Sequence, residues 1–407
     1  MKNAYIATYP PRQCGIGTFT ENLFNSMVAS DTDEPHHKKS FIVAINDFEK
    51  ELTYPEEVKF TIRQEFQEDY LAAAKYINIS GADCCILQHE FGIFGGMDGV
   101  YILPLLHQLD MPLIVTLHTV MQTPSYAQKE ILQRIAKMAN RLVVMSYKAI
   151  EMLVEIYEVP REKIAYIEHG VPNFRYVQEE VKKEFKLEKR KVLLTFGFIG
   201  RNKGIETAIQ AMPKLVEKHP DALYIVLGKT HPNVIRHAGE EYRLYLTQLI
   251  EDLKLEKNVI LLNEFTTQKE LFKYLYASDI YITPYLNEAQ ITSGTLAYAV
   301  GVGSAVVSTP YWHATELLSN GRGVLFDFGD TDALSKVLID LLDNPEKRLA
   351  IRKKALEHGR KITWPKIGFM YNDVVEKVVE EDVQIEKKEL IPFDISLLPM
   401  FSIEHIK

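Results

Sequence analysis

Short apolar runs alternate with helix-length amphipathic stretches along most of this chain, and the alternation starts twice. The first series holds Ala4–Thr8, Phe41–Ile45, Cys84–Leu87, Leu113–Leu117, Leu142–Met145 and Ile164–Ile167. Patterns of helical period lie between most of them, as at Thr18–Ala29, Tyr126–Met138 and Tyr147–Tyr157. A charged stretch, Gln178–Arg190, then interrupts the pattern. The second series holds Val192–Phe196, Leu223–Leu227, Val259–Leu262, Ile280–Thr283, Ala305–Ser308 and Gly323–Phe326. Strands that are apolar on both faces need cover on both faces, which helices between parallel strands provide. The fold class expected is therefore α/β, with two similar domains of parallel sheet joined near residues 171–190.

Length agrees, because 407 residues exceed one typical core. The expected division is an N-terminal domain over 1–175, a C-terminal domain over 190–363, and a C-terminal segment over 364–407. From Thr331 to Asp382 the pattern is nearly all helical, and Leu390–Lys407 is apolar but irregular. Lys and Arg total 47 against 55 Asp and Glu, a net charge of −8, which argues against nucleic acid as a partner. The opening MKNAYIATYPP reads as a strand, not a signal peptide, and no run reaches the roughly 18 apolar residues of a membrane span. A cytoplasmic protein is expected, with peripheral membrane contact left open. Cys14, Cys84 and Cys85 read as reduced, packed small residues, and no metal-ligand spacing is present.

In doubly wound sheets, ligands bind outside the carboxyl ends of the strands. The informative residues should sit in the loops there. Lys203 follows the strand Val192–Phe196 and precedes a helical pattern from Gly204. Glu288 follows the strand Ile280–Thr283, and Ser293, Gly294 and Thr295 then open a helix. A helix N-terminus offers free N–H groups and partial positive charge to a phosphate. Lys203 would add a full charge, and Glu288 can accept hydrogen bonds from two hydroxyls. Together they suggest a sugar nucleotide.

The first domain offers three more loops. Gly15 and Gly17 follow the first strand, where they suit either a ligand's approach or a tight turn, with Arg12 just before them. The third Gly of the dinucleotide fingerprint is missing, which disfavours a dehydrogenase. His89 and Glu90 open a loop with four glycines up to Gly99, read as mobile and polar; a structural His–Glu pair is the alternative. His118 ends the strand Leu113–Leu117, with structural and catalytic readings equally open. His169–Pro172 reads mainly as a turn.

In this order the motifs resemble the retaining glycosyltransferases of family 4, which implies the GT-B fold of two facing Rossmann-like domains. The resemblance spans residues 1–380. It rests on Gly15–Gly17, Leu117-His118-Thr119, His169-Gly170-Val171, Lys203-Gly204, Glu288 with Ser293-Gly294-Thr295, Gly303–Thr309, and Thr363-Trp364-Pro365-Lys366-Ile367. It implies that the first domain holds the acceptor, the second holds the nucleotide sugar, and the helix at Trp364 crosses back. The chain departs from the family twice. Gly197 and Phe198 stand where an Arg usually precedes the Lys, so Arg201 is the substitute candidate. Ala297 or Tyr298 stands near the second Glu of the usual pair.

The resemblance implies hexosyl transfer with retention, from a nucleotide-diphosphate sugar (first GDP-mannose, then UDP-glucose) to a hydroxyl of a saccharide or glycoconjugate. Neither a cofactor nor a metal is expected; the nucleotide sugar is a substrate. The implied catalytic residues are His118, Lys203 and Glu288. Donor contacts fall to Gly15, Gly17, Arg201, Lys203, Glu288, Ser293, Gly294 and Thr295, and acceptor contacts to Arg12, His89 and Glu90. A sugar-nucleotide epimerase of similar fold and a non-catalytic two-lobed binding protein are the alternatives.

Overall fold

The structure is a computed structural model that describes residues 1–30, 40–47, 52–230 and 232–384. The irregular stretch Leu390–Lys407 lies outside the described residues. The first sheet runs through β1 (Asn3–Ala7), β2 (Phe41–Asn46), β3 (Val58–Arg63), β4 (Cys84–His89), β5 (Leu113–Leu117), β6 (Arg141–Val144) and β7 (Ile164–Tyr166). The second runs through β8 (Lys191–Phe196), β9 (Ala222–Leu227), β10 (Val259–Leu262), β11 (Ile280–Thr283), β12 (Val306–Ser308) and β13 (Gly323–Leu325).

Every pairing is parallel, in the orders β3-β2-β1-β4-β5-β6-β7 and β10-β9-β8-β11-β12-β13. Each order reverses once, between β1 and β4 and between β8 and β11. A crevice opens at the carboxyl ends beside such a reversal. The strands flanking it are buried along their length, which is why they read as continuous apolar runs.

Strand β3 was not expected. Its residues alternate between covered and exposed, and Lys59 and Arg63 face outward, so no continuous apolar run marks this sheet edge. The strand at Cys84 is thus the fourth in the first sheet, not the third. The charged stretch differs too: Gln178–Glu184 forms a helix fastened to the second sheet. Its Lys182 Nζ lies 2.6 Å from Asp279 Oδ2, an oxygen that also accepts from Val192 N.

Helix Trp364–Gln384 runs back against helix Gly15–Ser30. Tyr371 shares a 3.0 Å hydrogen bond with Thr116, and Asn372 Nδ2 donates to Met27 O at 3.1 Å. The two crossings between the halves lie side by side: Val171 N donates to Ile362 O at 2.9 Å, and Trp364 N donates to Val171 O at 3.0 Å. His169–Pro172, expected mainly as a turn, therefore sits in this seam. No helix among the described residues is long and apolar enough to cross a membrane.

Candidate active site

The loops carrying Lys203 and Glu288 touch. Leu286 N donates to Asn202 O at 3.0 Å, because β8 and β11 are neighbours although far apart in the chain. Gly204 makes the contact feasible. Its φ is +57°, and a Cβ there would stand 2.1 Å from Pro284 O. Only glycine combines that turn with so close an approach.

Lys203 Nζ lies 3.8 Å from the ring centroid of Tyr285. A cation over an aromatic face is held without being neutralised, and among the described residues no carboxylate pairs with Lys203. The Tyr285 hydroxyl continues to Thr295 Oγ1 at 3.0 Å. Thr295 belongs to the first turn of helix Gly294–Gly301, whose N-cap Ser293 accepts from Leu296 N. Among the described residues no acceptor takes the Gly294 and Thr295 amides. One lysine and one open helix end thus converge through a single tyrosine, an arrangement that can take a diphosphate.

Glu288 is exposed at the rim, and its carboxylate is free of protein partners among the described residues. Its backbone is fixed, since Trp312 N donates to Glu288 O at 3.0 Å and His313 N donates to Gln290 O at 3.1 Å. His313 also accepts from Ser293 N through Nδ1 at 2.9 Å. His313 is a residue that sequence reasoning missed; a lone His after a Tyr-Trp pair carries no signal. Arg201 is committed elsewhere, in an ion pair with Glu241 beside the rings of Tyr242 and Tyr245. Tyr298 packs against His169 and Phe272, so its ring belongs to the core.

Across the crevice, Gly15 opens helix Gly15–Ser30, exposed and with open space around it. Gly17 is buried two residues on, against Tyr9 and Arg12 backbone. Arg12 donates to Ile45 O and Gln64 Oε1, both at 3.0 Å, and so ties this loop to the exits of β2 and β3. His118 is buried edge-on to Phe19, with Nε2 2.9 Å from Gln88 Oε1. Burial pushes its pKa down to about 3, helped by His169 and His89. The imidazole is therefore neutral at neutral pH and can orient but not ionise. Gln88 was missed; a polar residue ending an otherwise apolar strand was the available signal.

The loop after β4 corrects three expectations. His89 is fully buried between Phe91 and Phe94, and neither ring nitrogen has a partner among the described residues. It packs instead of facing an acceptor. Glu90 does not pair with it: Glu90 accepts from Thr119 Oγ1 at 2.5 Å and from Phe91 N at 3.0 Å. Nor do Gly95, Gly96 and Gly99 serve mobility, since a Cβ at each would meet a neighbour closer than 3.0 Å. A Cβ at Gly95 would lie 1.9 Å from Gln64 O, so the loop is packed against the Gln64 segment. Glu90 remains at the crevice, its pKa raised by burial and held back by the Thr119 and Phe91 hydrogen bonds.

The two walls meet at His169 and Gly294. A Cβ on Gly294 would stand 2.9 Å from His169 Nε2, so the bare first residue of that helix lets the first domain's imidazole sit against it.

With this geometry the comparisons agree. Residues 177–358 match the family model Glycosyl transferases group 1, and residues 86–173 match the model Glycosyltransferase Family 4. The chain is 25% identical over 297 residues to the D-inositol 3-phosphate glycosyltransferase of Corynebacterium glutamicum, covering 65% of this chain and 67% of that one. It is 27% identical over 161 residues to a GDP-mannose-dependent phosphatidylinositol monomannoside mannosyltransferase of the same species, covering 38% and 39%. The matched stretches span 67%, 52% and 55% of the first three curated relatives. Among solved structures, Anabaena HepE with UDP and glucose superposes with a TM-score of 0.73 at 13% identity, covering 93% of this chain and all of that one. Sucrose-phosphate synthase of Thermosynechococcus elongatus gives 0.73 at 14% identity, covering 94% and 100%. At such identities the structures speak for the fold, and the two family models, lying end to end across both sheets, speak for the lineage. The chain belongs to the family 4 glycosyltransferases, built on the GT-B fold.

Proposed function

We propose that this protein moves a hexose from a nucleotide-diphosphate sugar to a hydroxyl of a saccharide or glycoconjugate, with retention of configuration. The carrying observation is the contact of the Lys203 and Glu288 loops through Leu286 and Asn202. It supports the reading because an unneutralised cation and an open helix end converge on Tyr285, and the loop with the free carboxylate lies alongside. In this reading Lys203 and the Gly294 and Thr295 amides hold the diphosphate as charge develops on it. Glu288 takes the sugar hydroxyls. Neutral His118 orients the sugar, Gly15 and Gly17 face the donor, and the acceptor enters along Arg12 and Glu90. Fixed positive charge at the leaving group supports a transfer without metal, in which positioning supplies much of the rate.

The first donor to test is GDP-mannose. It is favoured by the mannosyltransferase relative, while the UDP in the HepE structures keeps UDP-glucose second. On this reading the protein works in the cytoplasm, with residues 1–175 as acceptor domain and 190–363 as donor domain. A thermal-shift panel of nucleotide sugars identifies the donor, since a ligand bound only by the folded state raises the midpoint. Proton NMR of the first product, made with EDTA present, then tests the mechanism. A retained anomer at undiminished rate is expected; an inverted anomer or a rate abolished by EDTA overturns it.

A further inference from the structure

A pocket of about 360 Å³ lies in the seam between the two sheets, bounded by the exits of β6 and β7 on one side and by helix Trp312–Leu317 on the other. It lies within the ~300–1,000 Å³ range of small-ligand sites. None of the residues expected to bind donor or acceptor lines it.

Several of its lining groups keep hydrogen-bonding capacity. His313 is only 4% exposed and lines the pocket. Because its Nδ1 accepts from Ser293 N, the neutral ring carries its hydrogen on Nε2. Among the described residues the ring makes only the Ser293 hydrogen bond, which leaves that N–H unspent. Arg322 spends Nε on Leu317 O and one Nη on Glu316 O and Ser319 Oγ, which leaves Nη1 without a protein partner among the described residues. Glu168 gives Oε1 to His358 and keeps Oε2. Beside them Tyr147, 59% exposed, stacks on Tyr166 with ring centroids 4.2 Å apart.

Two donors, one carboxylate oxygen and an open aromatic ring match the hydroxyls and the C–H face of a sugar. A phosphate is disfavoured. Glu168 and Glu316 outnumber Arg322 among the fixed charges, and the helix end nearby is already taken: Glu316 accepts from Tyr147 N and Lys148 N, both at 2.8 Å. We infer that this pocket is a second, nucleotide-independent binding site for a neutral saccharide, seated on Tyr147 and held by His313, Arg322 and Glu168. His313 links it to Ser293, so occupancy is felt at the N-cap of helix Gly294–Gly301. The site does not depend on the transfer reading, and a donor panel without hits would leave it standing.

The test is saturation-transfer NMR with methyl α-D-glucopyranoside and methyl α-D-mannopyranoside, with UDP and GDP at saturating concentration to occupy the crevice. At least one glycoside should give signal that excess inorganic phosphate does not displace. Tyr147→Ala, at an exposed position on the rim, and Glu168→Gln, which replaces the carboxylate by an amide of the same shape, should weaken that binding at least tenfold. Their unchanged thermal midpoints will show that they fold. Silence from both glycosides overturns the inference, as does displacement by phosphate, or undiminished signal in both variants.

Discussion

Lys203 rests its ammonium on the ring of Tyr285, and the hydroxyl of the same tyrosine reaches Thr295 at the open end of a helix. The tyrosine is a fixed spacer between two sources of positive potential, and it leaves both unneutralised. Lys203→Ala should therefore weaken nucleoside diphosphate binding about 10- to 100-fold. That corresponds to the roughly 1.5–3 kcal/mol of one charge-assisted hydrogen bond. Calorimetric affinity equal to that of the parent protein would remove Lys203 from the site.

Glu288 is exposed, and its carboxylate is free of protein partners among the described residues. Glu288→Ala should reduce affinity for the intact sugar nucleotide and spare the bare nucleoside diphosphate. Equal losses for both ligands would assign the carboxylate to the nucleotide or to the fold.

Gly204 tests the contact between the two loops. An added methyl would meet Pro284 O in a backbone conformation that costs other residues about 1–3 kcal/mol. Gly204→Ala should lower the urea midpoint and also weaken diphosphate binding, because Lys203 moves with its neighbour. A variant normal in both measurements would show that the two loops are not coupled there.

Acid should weaken the whole molecule. Burial pushes His89, His118 and His313 down to about 3, and His169 to about 4. Unfolded, each imidazole takes a proton near 6.5. Between those values the unfolded chain binds protons that the folded chain refuses. The stability from these groups is thus present above pH 6.5 and is lost as pH falls toward 3. Urea midpoints should drop between pH 7 and pH 5; a flat profile would contradict the burial of these rings.

His89 gives the sharpest single case. A ring with two unpartnered nitrogens in an aromatic cage contributes little that an apolar ring would not. His89→Phe should fold with an unchanged or higher thermal midpoint and keep acceptor KM within about twofold. A selective rise in acceptor KM would return His89 to the site.

Most strands were legible because parallel strands in these sheets are buried on both faces, and burial writes a continuous apolar run. Strand β3 escaped because an edge strand with outward Lys59 and Arg63 leaves only a weak alternation. The site was half legible. Lys203, Glu288 and Ser293 stand where strand exits meet helices, and position alone marked them. Their adjacency follows from the β8–β11 pairing, which no local pattern records. Glu316 and His313 were invisible for the same reason, since their partners, Lys148 and Ser293, are set by how the halves dock and by how a loop returns. His89 misled, because a histidine beside glycines at a strand exit has the same composition whether its ring faces solvent or the core.

The side-by-side crossings at Val171 and Thr363 bear on how the two halves can move. A single tether permits swing and twist alike. Two chains hydrogen-bonded to each other behave as a hinge with two pins, and rotation about the line through them is the soft direction. A proteolytic nick between Val171 and Gln178 would cut only one pin. The halves should then still elute together under native conditions and separate only in denaturant, because helix Trp364–Gln384 continues to fasten the second half to the first.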